Sequence, residues 1–398
     1  MARNLVLGLG GTVDYEIRWQ TSVLAALARE HRVCRAELST TEPIRDERSL
    51  LVTILGFLVD GAGGERFVEA ADVLEQFAAR FDKRVTIGGT GPRAGIVLQR
   101  FGIASVQHLV STNDAIRALL PRSARVISSA WGDSLEPHLI VQYPVGAAIE
   151  LADGDIVSTA SNRLIFANDA PNRELALAAE LPEALADAAI FLISGFNTMQ
   201  DPELLDRRLD QLIAAMERLP ADALVYYEDA AFYRTSFAER VRSRLLNRID
   251  VYGMNEDELQ GYLGDAVNLR DPDAVLPALR EVHRLIPAAV LVVHTRCWAI
   301  ALGDRAGEHR AALENAVRVA ATRYRLGDDW TTADLAATDQ LPRDPAGAAV
   351  IATIAGRPGY AGVPAFAAES PSPTTIGLGD SFVGGFLAAH APERTDSR

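Results

Sequence analysis

Short apolar runs rich in branched residues alternate with longer segments of helical spacing along most of the chain. Strands are predicted at 4–8, 84–87, 105–109, 189–194, 223–228, 248–252 and 289–294. Helices are predicted at 201–218, 256–263, 273–285 and 309–324, the first opening on an Asp201-Pro202 pair that suits an N-cap followed by a first-turn proline. This alternation is the signature of a mainly parallel sheet with helices on both faces.

Two stretches break the rhythm. Residues 11–46 are polar and charged around one amphipathic helix. Residues 131–172 hold short extended runs at 138–143 and 156–159, separated by Gly-Ala and Asp-Gly turn signals. They predict a smaller β-rich lid. The expected division is a large α/β domain from 1–12, 47–130 and 180–398, with a lid from 13–46 and 131–179. Residues 327–370, rich in Ala, Gly and Pro, read as loops around one short strand at 348–354. A length of 398 residues suits such a large domain with a smaller insertion.

Composition narrows the function. The longest apolar runs, 50–59 and 289–293, fall far below the ~20 residues that span a bilayer. The N-terminus has no secretory pattern, and Cys34 and Cys297 form neither a disulfide framework nor a metal-site spacing, so a reducing cytoplasm is expected. A net charge of −14 argues against nucleic acid as a partner but leaves room for a small phosphorylated ligand. Of 39 basic residues only Lys83 is a lysine, and its Phe-Asp-Lys-Arg-Val context matches no lysine-bearing nucleotide motif. P-loop enzymes and protein kinases, which place a lysine on the phosphates, are thereby excluded. The run Gly8-Leu9-Gly10-Gly11 lacks the third glycine of a dinucleotide-binding fingerprint.

Candidate chemistry concentrates in a few turns. In Gly377-Leu378-Gly379-Asp380, two glycines precede an aspartate and a helical run at 382–390. Such a turn can aim backbone N–H groups at an anion, and the helix N-terminus adds roughly half a positive charge. Asp380 beside it can accept the proton of a hydroxyl attacking a phosphoryl group; the bland alternative is an ordinary turn with an aspartate N-cap. Asn255 and Glu258 follow a strand, where a carboxylate can hold hydrated magnesium, but they also spell a capping box. Glu228 ends the 223–228 strand in an acidic pair with Asp229. Arg93, in the first turn of the helix after Gly88-Gly89-Thr90, either meets a phosphate or carboxylate on a substrate or is a solvated surface arginine.

In this order the motifs resemble those of the ADP-dependent sugar kinases of the ribokinase superfamily, and the resemblance runs from Asp14 to Phe382. It implies a ribokinase-like doubly wound sheet with a β-rich lid, and Asp380 as catalytic base. It also implies nucleotide and anion-hole contacts from Thr375, Gly377, Leu378, Gly379, His294 and Thr295. Acceptor contacts would come from Asp14, Gly88, Gly89, Thr90, Arg93 and Asn197, and a divalent cation such as Mg2+ would be organised by Glu228 and Glu258. Asn162-Arg163-Leu164-Ile165 and Ser194-Gly195-Phe196-Asn197 resemble further family segments near the sugar. Three positions depart from the family pattern: Tyr226 for a histidine, Thr90 for an asparagine and Asn197 for a glutamine.

The implied reaction is phosphoryl transfer from ADP to a hydroxyl of a sugar or sugar phosphate, giving AMP. The partners would be the sugar and the nucleotide, with no nucleic acid or membrane; the oligomeric state stays open. An ATP-dependent sugar or nucleoside kinase of the same fold, and a non-catalytic sugar- or nucleotide-binding protein, remain alternatives.

Overall fold

The computed structural model describes residues 3–370 and 376–392. Among these residues the strands form a nine-stranded sheet, a five-stranded sheet and a two-stranded hairpin. The large sheet runs, edge to edge, Tyr360–Pro364, Trp298–Leu302, Val290–His294, Val251–Asn255, Leu224–Glu228, Ala188–Ile193, Asn4–Leu7, Ser105–Leu109 and Ala124–Ser128. All strand pairs are parallel except those made by Trp298–Leu302, which is antiparallel to both neighbours.

Alternation along each strand feeds two cores. Tyr226, Leu192, Val290 and Val292 point to one face, where the helices Thr90–Arg100, Arg310–Leu326 and Leu378–His390 pack. Tyr227, Phe191, Leu291 and Val293 point to the other, covered by Pro202–Met216, Thr235–Leu245 and Pro272–Leu285. Both faces being buried explains why these strands read as nearly continuous apolar runs.

The smaller sheet runs Gly64–Phe67, Asn162–Ala167, His138–Tyr143, Thr12–Ile17 and Lys83–Gly88. Here the structure departs from the expected division. Residues 64–67 and 83–88, assigned by sequence to the large domain, hydrogen-bond within the lid sheet. The helix Glu47–Asp60 buries Leu50 to Leu58 in the lid's own core. A strand announces its pairing face but not its partner, so the sequence could not say which sheet 84–87 joins. The expected strand at 348–354 is the helix Pro345–Ile354, and the strand lies instead at Tyr360–Pro364. An Ala- and Ile-rich run is ambiguous by periodicity. The deciding signal was Asp344-Pro345: the Asp344 carboxylate accepts from Gly347 N at 2.7 Å, as Asp201 and Asp271 cap the helices that open on Pro202 and Pro272.

The lid returns to the large sheet through a buried polar knot. His138 Nε2 lies 3.1 Å from Asp169 Oδ2, Asp169 also accepts from Asn172, and Asn172 Nδ2 donates to the Gly11 carbonyl at 3.0 Å. Burial disfavours charge on His138, but the hydrogen bond and the charge of Asp169 outweigh it and hold its pKa above the ordinary 6.5. On the other side, Leu378–His390 lies between two helices at backbone range. A Cβ on Gly384 would stand 2.7 Å from Val97 Cβ and 3.0 Å from Ala94 Cα, and one on Gly385 would stand 2.9 Å from Ala316 Cα.

Two outcomes follow from this packing. Gly384→Ala and Gly385→Ala should each lower stability by about 1–3 kcal/mol, despite the better helix propensity of alanine, because neither neighbour can retreat. Gly261→Ala, in a helix with open space around it, should be neutral or stabilising by up to ~1 kcal/mol. Thermal melts of the three variants decide; a stabilised Gly384→Ala contradicts the packing argument. For His138 the folded pKa is the raised one, so its contribution is complete below the ordinary histidine value and is lost as pH rises through the raised value. The melting temperature of wild type should therefore decline over that rise, and His138→Gln should flatten the decline.

Candidate active site

The carboxyl ends of the parallel strands meet the underside of the lid sheet, the place where open α/β sheets bind ligands. A cavity of about 220 Å³ lies there. The lid contributes Thr12, Asp14, Glu65, His138 and Arg163 to its wall; the α/β side contributes Gly89, Thr90, Arg93, Asn197, Gly377 and Asp380. Asp14 and Asp380, 366 positions apart in the sequence (380 − 14), thus face one space.

Gly377 has φ +67° and is the N-cap of Leu378–His390, so the helix begins earlier than the expected residue 382 and carries Asp380 in its first turn. Both the amide and the hydroxyl of Ser381 donate to the Gly377 carbonyl at 3.0 Å, closing the turn. Gly377 has to be glycine twice over. Its φ is left-handed, and a Cβ there would come within 2.6–2.9 Å of the Arg93 side chain.

Arg93 corrects an expectation. It is not a solvated surface arginine: its side chain is 5% exposed. Its guanidinium lies 3.3 Å from Asp14, 3.7 Å from Glu16 and 3.7 Å from Asp380. Burial disfavours its charge, but Asp14 and Asp380 more than compensate and keep it protonated. Gly88 serves this cluster from behind, since a Cβ there would stand 2.5–2.6 Å from the Asp14 carboxylate oxygens. Thr12 Oγ1 donates to Asp14 at 2.7 Å and fixes that carboxylate further. Gly89, at φ +89°, turns the chain from the lid strand into the helix bearing Thr90 and Arg93.

Behind Gly379 lies a second acidic group. His294 ends its strand, and a Cβ on Gly379 would be only 3.4 Å from its ring. The ring stacks on Phe382 at 4.5 Å and its Nε2 is 2.8 Å from Glu228 Oε1. Tyr226 donates to Glu228 Oε2 at 3.2 Å. Burial pushes the Glu228 carboxyl up, His294 draws it back, and the nearby charge of Asp380 raises it again. Glu258 forms the capping box with Asn255: its carboxylate accepts from Asn255 N at 2.8 Å, and Asn255 Oδ1 accepts from Asp257 N and Glu258 N. Its pKa is driven well up by burial and by the neighbouring charges, Glu228 among them. Among the described residues no three His, Cys, Asp or Glu side chains are grouped to hold a metal. The donor set fits an ion that keeps waters and phosphate oxygens, rather than an all-protein cage.

The remaining expected positions divide. Asn197 lines the cavity from the short turn Phe196–Thr198. Leu378 and Thr295 stand outside its lining. The Thr295 hydroxyl is engaged in the turn to Trp298, accepting from Cys297 N and Trp298 N and facing the Trp298 carbonyl. Thr375 falls outside the described residues. Sequence reasoning missed Glu65, His138 and Tyr233, all on the cavity wall. His138 opens a predicted strand, but only the folded sheet sets it in register beside Asp14.

The sequence model of the ADP-specific phosphofructokinase/glucokinase conserved region matches residues 3–342. No curated protein sequence matches the chain. Among solved structures, a hypothetical ADP-dependent phosphofructokinase from Pyrococcus horikoshii superposes with a TM-score of 0.76 at 16% identity, covering 98% of each chain. A phosphofructokinase from the same organism with AMP gives 0.74 at 16%, again covering 98% of each. An ADP-dependent kinase in complex with fructose-6-phosphate and ADPβS gives 0.75 at 15%, covering 100% of this chain and 95% of that one. These likenesses establish a common fold, and the match over 3–342 establishes more: the chain belongs to the ADP-specific phosphofructokinase/glucokinase family.

Proposed function

We propose that this protein transfers the terminal phosphoryl group of ADP to a hydroxyl of a sugar or sugar phosphate, with Asp380 as the base. The observation that carries the reading is the shared cavity in which Asp14 and Asp380 face one another, bridged by the buried guanidinium of Arg93. Asp14 orients acceptor hydroxyls from the lid. Asp380 takes the proton of the attacking hydroxyl as the O–P bond forms and the bond to the AMP leaving group breaks. The amides of the Gly377–Gly379 turn and the amino end of Leu378–His390 stabilise the negative charge of the transferring group. Arg93 lies beneath that turn and supplies the charge that a lysine supplies in other nucleotide folds.

A divalent cation such as Mg2+ would neutralise phosphate charge. Glu228 and Glu258 would hold it, largely through water. Tyr226, in the place of the family histidine, keeps its proton because burial and Glu228 raise its pKa far above 10, so it donates to Glu228 at all working pH. The imidazole beside that carboxylate comes from His294 instead. A lid sheet closing over the cavity excludes water and suppresses hydrolysis of the donor.

Purified protein assayed against a panel of sugars and sugar phosphates, with ADP and ATP supplied separately, should turn over with ADP. Asp380→Asn should reduce kcat by roughly 10²–10⁴-fold while ligand binding persists. Turnover with ATP alone would reverse the donor assignment, and an unimpaired Asp380→Asn would remove that residue from the mechanism. Addition of MgCl2 should raise the melting temperature of wild type, because the ion relieves repulsion between Glu228 and Glu258. That increment should vanish in Glu228→Gln combined with Glu258→Gln; an undiminished increment places the ion elsewhere.

A further inference from the structure

Against the Gly377 turn, outside the cavity lining, lies an arginine that no motif marks. Arg323 sits in the last turn of Arg310–Leu326, and its side chain is 3% exposed. Its Nε donates to Asp328 Oδ1 at 2.7 Å, its Nη1 donates to the carbonyl of Ile376, and its Nη2 is buried with no hydrogen-bond partner. Asp328 is itself braced. Its other carboxylate oxygen accepts from Arg84 at 2.7 Å, and its carbonyl accepts from Arg100 at 2.7 Å. The guanidinium therefore has one orientation and cannot follow the turn if the turn moves.

The consequence comes from peptide geometry. The peptide joining Ile376 to Gly377 is trans, so its C=O and N–H point in opposite directions. With the carbonyl held by Arg323, the amide of Gly377 is turned the other way; Ile376 and Gly377 line the cavity, and Arg323 does not. We infer that Arg323, braced by Asp328, is a positioning residue that sets the Ile376–Gly377 peptide plane so that the Gly377 amide faces the transferring phosphoryl group. This role rests on the kinase reading above. Arg323 touches no substrate. Its charge adds to that of Arg93, which packs against the same glycine, and the two together make the turn attractive to an anion before any ligand arrives.

The test exploits a difference between donor and product. ADP carries the phosphoryl group that the Gly377 amide would meet, and AMP lacks it. Calorimetric titration of ADP and of AMP, each with MgCl2, into wild type and Arg323→Gln should show AMP affinity within about twofold. ADP affinity should fall by tenfold or more, with kcat down by about 10²-fold, the usual loss for one oxyanion donor. Arg323→Lys, which keeps a charge and a donor but cannot span both partners, should recover part of each loss. Asp328→Asn, which leaves the guanidinium in place but unbraced, should show the same ADP-selective loss to a smaller extent, and it carries the test if Arg323→Gln does not fold. Equal losses for ADP and AMP accompanied by a lowered melting temperature would reduce Arg323 to a packing residue and overturn the inference. So would unchanged values for both nucleotides. Wild type that turns over no sugar with ADP would instead count against the kinase reading itself, whereas active wild type with unaltered variants would count against Arg323 alone.

Discussion

Three carboxylates, Asp14, Glu16 and Asp380, stand around one guanidinium in a space from which the surrounding helices and lid exclude most water. Without Arg93, Asp14 and Asp380 would face one another across the cleft with no positive charge between them. The same arginine joins a lid strand to the first turn of the Leu378–His390 helix, so electrostatics and domain geometry depend on one side chain. Removing one partner from a buried charge cluster typically costs about 3–5 kcal/mol, which indicates how strongly the cleft is held to its present shape.

Glycines make that cluster possible. Gly88 leaves room for the Asp14 carboxylate, Gly377 for the Arg93 side chain, and Gly384 and Gly385 let three helices meet at backbone distance behind the turn. The result is a glycine turn set on a helix that is packed at backbone distance on two sides. Close packing of this kind stiffens the turn, and on the proposed reading a transferring phosphoryl group would meet donors that need not reorganise.

Of the three departures from the family pattern, the one at Tyr226 has a physical account. Tyr226 brings no positive charge, but it donates to Glu228, and His294 reaches the other oxygen of the same carboxylate from a neighbouring strand. Two donors on one buried acid hold it in one orientation, whichever residue type supplies them. Glu258 has an observed structural part. Its carboxylate closes a capping box, and the helix so capped holds that carboxylate near Glu228.

The order of strands and helices was legible along the chain because burial on both faces leaves long apolar runs and Asp-Pro pairs mark helix starts. The turn at 377–380, the strand-end acids and the Gly88-Gly89 turn were visible for a similar reason, since a turn or strand end built from neighbouring residues leaves a local pattern. Whether the strands at 64–67 and 83–88 join the lid or the large sheet was not, because hydrogen-bond partners are chosen by the surfaces that pack, not by the strand's own residues. Nor did the sequence distinguish a buried Arg93 from a surface one, or mark Arg323 at all. A lone arginine on a helix looks the same in either setting: the carboxylates around Arg93 and the Ile376 carbonyl on Arg323 come from 53 to 287 positions away (376 − 323 and 380 − 93), and only Asp328 is a near neighbour in sequence. Local propensity determined the elements and the turns; the long-range pairing of charges, which has no local signature, was decided by the tertiary structure alone.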